Sequence, residues 1–244
     1  MILGMEDELA GQIMGAIRGG DLDSLQAMID SHPGLAAARI KDRRGSKAAL
    51  HVVTDWPGFF PKGPSAVKML ISAGADPNAR TEGGNFQETP LHWAASSDDV
   101  EVAEALIIGG ADMEARGASI AGGTTMANAV GYGCWRVARL LVQRGAKVEE
   151  PWQAAALGMT SLLATFFKEG SAPSSEKLNH AFWQACCGGY RRTAEYLLER
   201  GADLNWIPDY AKETALQVAS DGMDTGREAL VNWLRAKGAT SSGG

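Results

Sequence analysis

Thr89-Pro90-Leu91-His92-Trp93-Ala94-Ala95, followed by Val100, Ala103, Leu106 and Ile107 and then by Gly109-Gly110-Ala111-Asp112, decides how the rest of the chain is read. Thr89 is placed to cap a helix and Pro90 to open it, because the N–H of the first helical residue has no partner in any case. Asp98-Asp99 turns the chain and sets acid at the start of a second helix, where the helix dipole favours it. The four apolar residues form one stripe along that helix. Glycine ends it by accepting the left-handed terminal conformation. Two short helices and an extended link over Asp112 to Arg116 are predicted.

The closing phrase returns along the chain as Leu70-Ile-Ser-Ala-Gly74-Ala75-Asp76, Leu140-Leu-Val-Gln-Arg-Gly145-Ala146 and Leu197-Leu-Glu-Arg-Gly201-Ala202-Asp203, with a fainter copy at Trp233 to Ala239. From Gly74 the steps are 36, 35, 56 and 37 residues, and the 56 divides into 25 and 31 if Gly170 is a missing member. A repeat of this length predicts a solenoid, because one such unit cannot bury its apolar face alone.

Thr89-Pro-Leu-His92-x-Ala94-Ala95, with Gly110-Ala-Asp112 some twenty residues on, resembles the ankyrin repeat family. The resemblance spans roughly residues 8 to 240 and implies an all-α solenoid of about seven stacked antiparallel helix pairs. It also implies that the first helices and the projecting turns line a concave binding face. On this plan residues 1–244 form one domain, with an N-terminal cap at about 6–34, repeats at about 46–205 and a C-terminal cap at about 212–239. First helices are expected near Glu8, Ala49, Thr89, Thr124, Trp152, Ala181 and Thr214. Second helices are expected near Leu22, Ser65, Val100, Trp135, Thr160, Arg191 and Arg227.

Three departures from the repeat mark where function is sought. Asp55-Trp56-Pro57-Gly58-Phe59-Phe60-Pro61-Lys62-Gly63-Pro64 replaces a turn of about two residues with a stiffened loop carrying three aromatics. Gly145 to Gly170 is short for a unit, so Lys147-Val-Glu-Glu-Pro151 leaves no room for a projecting turn and should open or bend the stack. Aromatic residues are also enriched, with seven tryptophans. In the family the histidine at the position of His92, and here also His51, bonds between units. Trp152 and Trp183 align there in the second half, which puts that network in question. Trp135 and Trp233 read as packing residues, Trp93 as inter-unit core before contact, and Trp56 as the best exposed candidate.

The net charge of −6 argues against binding nucleic acid or an anionic membrane surface. No apolar run is long enough to span a bilayer, and the N-terminus lacks a secretory pattern. Cys134, Cys186 and Cys187 form no disulfide framework, which suits a reduced, cytoplasmic protein. No phosphate loop or dinucleotide fingerprint is present, His32, His51, His92 and His180 have no metal-ligand spacing, and no cofactor is expected. The expected function is a binding module whose aromatic and acidic groove holds a protein or peptide partner with basic groups. Its contact residues are Asp55, Trp56, Phe59, Phe60, Trp93, Ser96, Ser97, Asp98, Tyr132, Trp152 and Trp183. The alternative is a small-molecule binder or cofactor-independent isomerase or cyclase using Asp55, Asp98 and His51 as acid and base. In the plainer account Asp98 and Asp99 only end one helix and begin the next.

Overall fold

The computed structural model describes residues 1–43, 45–167, 173–221 and 227–241. Gly170 and the end of the Thr240 to Gly244 tail lie outside the described residues. Contacts divide the chain into two units, Met1–Lys147 and Val148–Gly244.

The first unit opens with strand β1 (Ile2–Gly4), then helices α1 (Glu8–Gly19) and α2 (Leu22–Ser31) and a 3-10 turn at Leu35–Ala37. Strands β2 (Arg39–Lys41) and β3 (Ser46–Ala48) lead into α3 (Ala49–Val53) and α4 (Gly63–Ser72). The pairs α5 (Pro90–Ser96) with α6 (Val100–Ile108) and α7 (Thr125–Gly131) with α8 (Trp135–Gln143) complete it. First helices pack on first helices (α1 on α3, α3 on α5, α5 on α7) and second on second (α4 on α6, α6 on α8). This stacking buries Leu50, Val67, Leu70, Leu91, Leu106, Val137 and Leu141 completely. The small sheet was not anticipated: β1 pairs in parallel with β2, and β2 with β3 antiparallel. Its strands are three residues each, too short for an alternating pattern to register in the sequence.

Successive turns are tied by a recurring arginine. Arg39 donates to the carbonyl of Arg80, and Arg80 to that of Arg116. Asn78 adds a donor to Gly110 O and an acceptor for Asp112 N–H. These bonds satisfy backbone groups that an extended link otherwise leaves to water.

The second unit holds α9 (Pro151–Ala156), α10 (Thr160–Phe166), α11 (Ser175–Gly188), α12 (Arg191–Leu198), α13 (Ala215–Ser220) and α14 (Glu228–Ala236). Phe182, Leu163, Leu197, Leu216, Leu230 and Leu234 are buried in its core, with Trp233 packed against them. Helix α11 begins six residues before the expected Ala181, because Ser174 caps it by accepting from Lys177 N–H. His180 therefore lies inside the helix and not at a cap.

Two expectations about tryptophan need correction. Trp183 does bond between helix pairs: its Nε1–H donates to Glu213 O at 2.9 Å. His51 Nε2 makes the equivalent bond to Glu88 O at 3.1 Å. An indole has one donor, and one donor is all this link requires. Trp152 does not take the histidine position. Gln153 does, accepting from Glu149 N–H and Glu150 N–H, while Trp152 stacks on His180 with ring centroids 5.7 Å apart.

Candidate functional site

Within the first unit the ends of α3, α5 and α7 and the loops beside them enclose a pocket of about 290 Å³ that opens to solvent. Its lining is Thr54, Asp55, Trp56, Glu88, Trp93, Ser96, Ser97, Ser119 and Tyr132. Of the residues expected at the site, Asp55, Trp56, Trp93, Ser96, Ser97 and Tyr132 line this one cavity. Glu88, Ser119 and Thr54 were not singled out from the sequence.

Each wall has a local cause. Trp56 stands on the Pro-rich loop and is 83% exposed. The loop is held from both sides. Pro61 packs so closely on Gly20 that a Cβ there would meet its carbonyl, and Gly58 abuts Ser97 Oγ. Asp99, buried at the start of α6, accepts from Val102 N–H and from Phe59 N–H. Trp93 is fixed by its Nε1–H donating to Glu88 Oε2 at 3.0 Å. Glu88 Oε1 accepts from Ser119 N–H and Asn128 Nδ2, both at 2.8 Å. Asn128 Oδ1 in turn accepts from Ser119 Oγ, which shares a hydrogen bond with the Tyr132 hydroxyl at 3.1 Å. Glu88, Asn128, Ser119 and Tyr132 thus form a continuous chain under the pocket, and such a network is rigid when its members are satisfied.

On the opposite side Asp55 Oδ2 accepts from Arg18 at 2.9 Å and from Lys47 at 2.8 Å. Lys47 Nζ also lies 5.3 Å from the centroid of the Trp93 ring, a cation–π distance. His51 is fully buried, its Nδ1 accepting from Ala48 N–H and its Nε2–H reaching Glu88 O. Burial is the main reason its pKa falls to about 4, with the nearby positive charges of Arg39 and Lys47 adding to it. His92 is also held below its ordinary pKa, chiefly by burial. Its Nδ1 accepts from Thr89 N–H, and Nε2 makes no hydrogen bond.

The acid–base candidates do not converge. Asp98 lies outside the pocket lining, and its carboxylate accepts from Val137 N–H at 2.9 Å, capping the second helix of the following pair. Asp55 is engaged by two cations, and His51 has both nitrogens bonded. Phe59, exposed, and Phe60, half-buried, sit on the loop beyond the lining.

In the second unit Trp152, His180, Trp206 and Tyr210 form an aromatic cluster around His180, whose Nε2 is 2.7 Å from the Tyr210 hydroxyl. Trp183 meets Tyr210 edge-on. Among the described residues no group of His, Cys, Asp and Glu could hold a metal ion. No described helix is long and apolar enough to cross a membrane.

With this geometry in view, the family comparison is specific. Residues 59–151 match the family model for ankyrin repeats, in three copies. These residues are ankyrin repeats. They contain α4 to α8 and most of the pocket lining. The chain is also 32% identical over 107 residues to a palmitoyltransferase, AKR1, of Kluyveromyces lactis, a match covering 44% of this chain. The chain spans 13% of that relative's length. Ankyrin repeats indicate a protein-interaction module.

Signals for the missed residues were faint. Glu88 stands immediately before the Thr89 motif and five residues before Trp93, a separation that says nothing of contact until the helix entry is built. Ser119 and Asn128 reach Glu88 only through the stacking of one helix pair on the next.

Proposed function

We propose that the chain is a cytoplasmic adaptor of about seven ankyrin-type repeats, forming one repeat domain, and that the pocket between Trp56, Trp93 and Tyr132 receives a basic side chain of a protein partner. The observation carrying this reading is the pocket itself: three aromatic walls beside a carboxylate, Glu88, whose hydrogen-bond donors are all neutral. Its volume of about 290 Å³ is at the bottom of the roughly 300–1,000 Å³ usual for small-molecule sites and suits a single side chain. Phe59 and Tyr132 are exposed by 55% and 52% and supply apolar area for the residues flanking that side chain. Aromatic anchors with little rotamer freedom carry a disproportionate share of interface energy. The net charge of −6 favours approach of a basic partner.

The test is capture from host lysate by wild type and by Trp56→Ala, with affinities then measured on the purified partner. Truncating a central anchor costs about 2 kcal/mol, so affinity should fall roughly thirtyfold. A partner held equally by both proteins would place the interface elsewhere.

A further inference from the structure

The second unit carries an aromatic surface of its own. Trp152 stands near the start of α9, His180, Trp183 and Gln184 on α11, and Trp206 and Tyr210 on the link between α12 and α13. That link is tied to α11 at successive points. Asn179 Oδ1 accepts from Asp203 N–H at 2.8 Å, the Tyr210 hydroxyl meets His180 Nε2, and Trp183 Nε1–H donates to Glu213 O. The rings are therefore placed before any ligand arrives, so little ordering accompanies binding. Tyr210 nevertheless remains 68% exposed, and Trp152, His180 and Trp206 are half-buried.

The polar edges of these rings are mostly donors. Trp152 Nε1–H and Trp206 Nε1–H bond no described residue and are open to solvent. Burial holds His180 below its ordinary pKa, so the ring is neutral at pH 7. The Tyr210 hydroxyl and the Gln184 amide lie 2.7 and 3.5 Å from His180 Nε2 and both can donate to it, which puts the ring proton on Nδ1. That N–H is a further open donor. Acceptors are fewer: the Tyr210 oxygen, which also takes Gln184 Nε2–H at 3.4 Å, and Oε1 of the nearly buried Gln184. Among the described residues no ion pair or cation–π contact involves any of these side chains. A ligand suited to this surface brings apolar faces and carbonyl oxygens but few N–H or O–H groups, since a donor buried without an acceptor is unfavourable. Proline does so: its ring is apolar, it has no backbone N–H, and its carbonyl remains an acceptor. A run of prolines holds the polyproline II helix with no internal hydrogen bonds, so those carbonyls stay free and the segment is ordered before it docks. A sugar brings a donor with every hydroxyl, which this donor-rich surface cannot match.

We infer that Trp152, Trp206 and Tyr210, gathered around His180, form a docking surface for a proline-rich segment of a protein partner in the polyproline II conformation, with the two indole N–H groups donating to its carbonyls. The surface belongs to the second unit alone, and its occupant is independent of what the first-unit pocket binds.

Three probes test this on the full chain: a decaproline peptide with Gly/Ser ends, a Gly/Ser peptide of the same length, and maltose. Binding is followed at the indole N–H resonances of Trp152 and Trp206, with those of Trp56 and Trp93 in the first unit as the reference. The proline peptide should shift the first two and bind at least roughly tenfold more tightly than the Gly/Ser peptide. Trp152→Phe keeps a ring against His180 and removes one donor, so it should weaken the proline peptide roughly fivefold. Tyr210→Ala should weaken it roughly tenfold while the helical circular dichroism is unchanged. Trp56→Ala should leave its affinity as it is. Equal binding of the two peptides, or shifts confined to Trp56 and Trp93, would overturn the inference. So would full affinity in both second-unit variants. Shifts of Trp152 and Trp206 by maltose at equal or lower concentration would overturn it by assigning the surface to a sugar. None of these failures touches the adaptor reading, which stands or falls on capture of a partner through Trp56.

Discussion

Acid should weaken the first unit through His51, and the size of the effect follows from its surroundings. The imidazole is fully buried, accepts from Ala48 N–H at 3.2 Å and donates to Glu88 O at 3.1 Å. Only the neutral ring can do both. Its pKa in the fold is about 4 against 6.5 for an ordinary histidine. Between those values the unfolded chain holds more protons than the folded one, so stability rises with pH across the window. The contribution is complete above pH 6.5 and is lost as pH falls toward 4. A shift of that size corresponds to about 3 kcal/mol in full, of which about 2 kcal/mol is gone by pH 5. His92 and His180 shift in the same direction, so the contribution of His51 is isolated by comparison with His51→Gln. Glutamine is the natural choice because Gln153 and Gln217 fill the same helix position in α9 and α13 and accept the same cap N–H. Urea unfolding followed by circular dichroism at pH 7.5 and 5.0 gives the free energies. Whatever fixed destabilisation the variant carries cancels when the pH dependences are subtracted. Wild type should lose about 2 kcal/mol more than the variant between the two pH values. A difference that stays constant from pH 7.5 to 5.0 would mean that His51 is not buried neutral, and the reasoning would fail.

Other expectations follow from single contacts. Asp98→Ala should destabilise by about 1 kcal/mol through loss of the cap on α8, as seen in thermal unfolding, and leave partner affinity unchanged. Equal loss of affinity would return Asp98 to the site. Gly58→Ala should weaken partner binding and stability together, because the backbone there has φ of +77° and a Cβ would lie 2.9 Å from Ser97 Oγ. Unaltered binding by calorimetry would show that the loop position is unimportant. Trp183→Phe should destabilise by about 1–2 kcal/mol by leaving Glu213 O without its donor while keeping most of the packing, measured by urea unfolding.

Much of the architecture was legible because helical periodicity and punctuation are local. Thr89-Pro90, Asp98-Asp99 and Gly109-Gly110 carry start, turn and stop within one stretch, and the corresponding helices run over Pro90–Ser96 and Val100–Ile108. The seven pairs of helices among the described residues fall close to where the repeat places them. The three-residue strands were invisible because they alternate too briefly. Ser174 extended α11 because a cap overrides an alignment made on a distant repeat.

The pocket was legible only in part, and its residues separate along one line. Trp56, Trp93 and Tyr132 advertise themselves by chemistry: large rings on first helices or just beyond them have few uses besides packing and contact. Glu88 does not, since a glutamate ahead of a helix carries no signal of its own. Asp98 misleads for the same reason in reverse. An acid beside Asp99 reads as a pair, but the backbone turns between them, with φ of +56° at Asp98. Asp99 then caps its own helix and Asp98 the next. The sequence by itself determined the helix pairs and the recurring Gly-Ala phrase, because those depend on residues within a few positions of one another. How the two carboxylates of the pocket are partnered was decided by tertiary structure alone. Arg18, Lys47 and Asp55 meet across helix pairs, as do Glu88, Ser119 and Asn128, and charge balance belongs to neighbours in space.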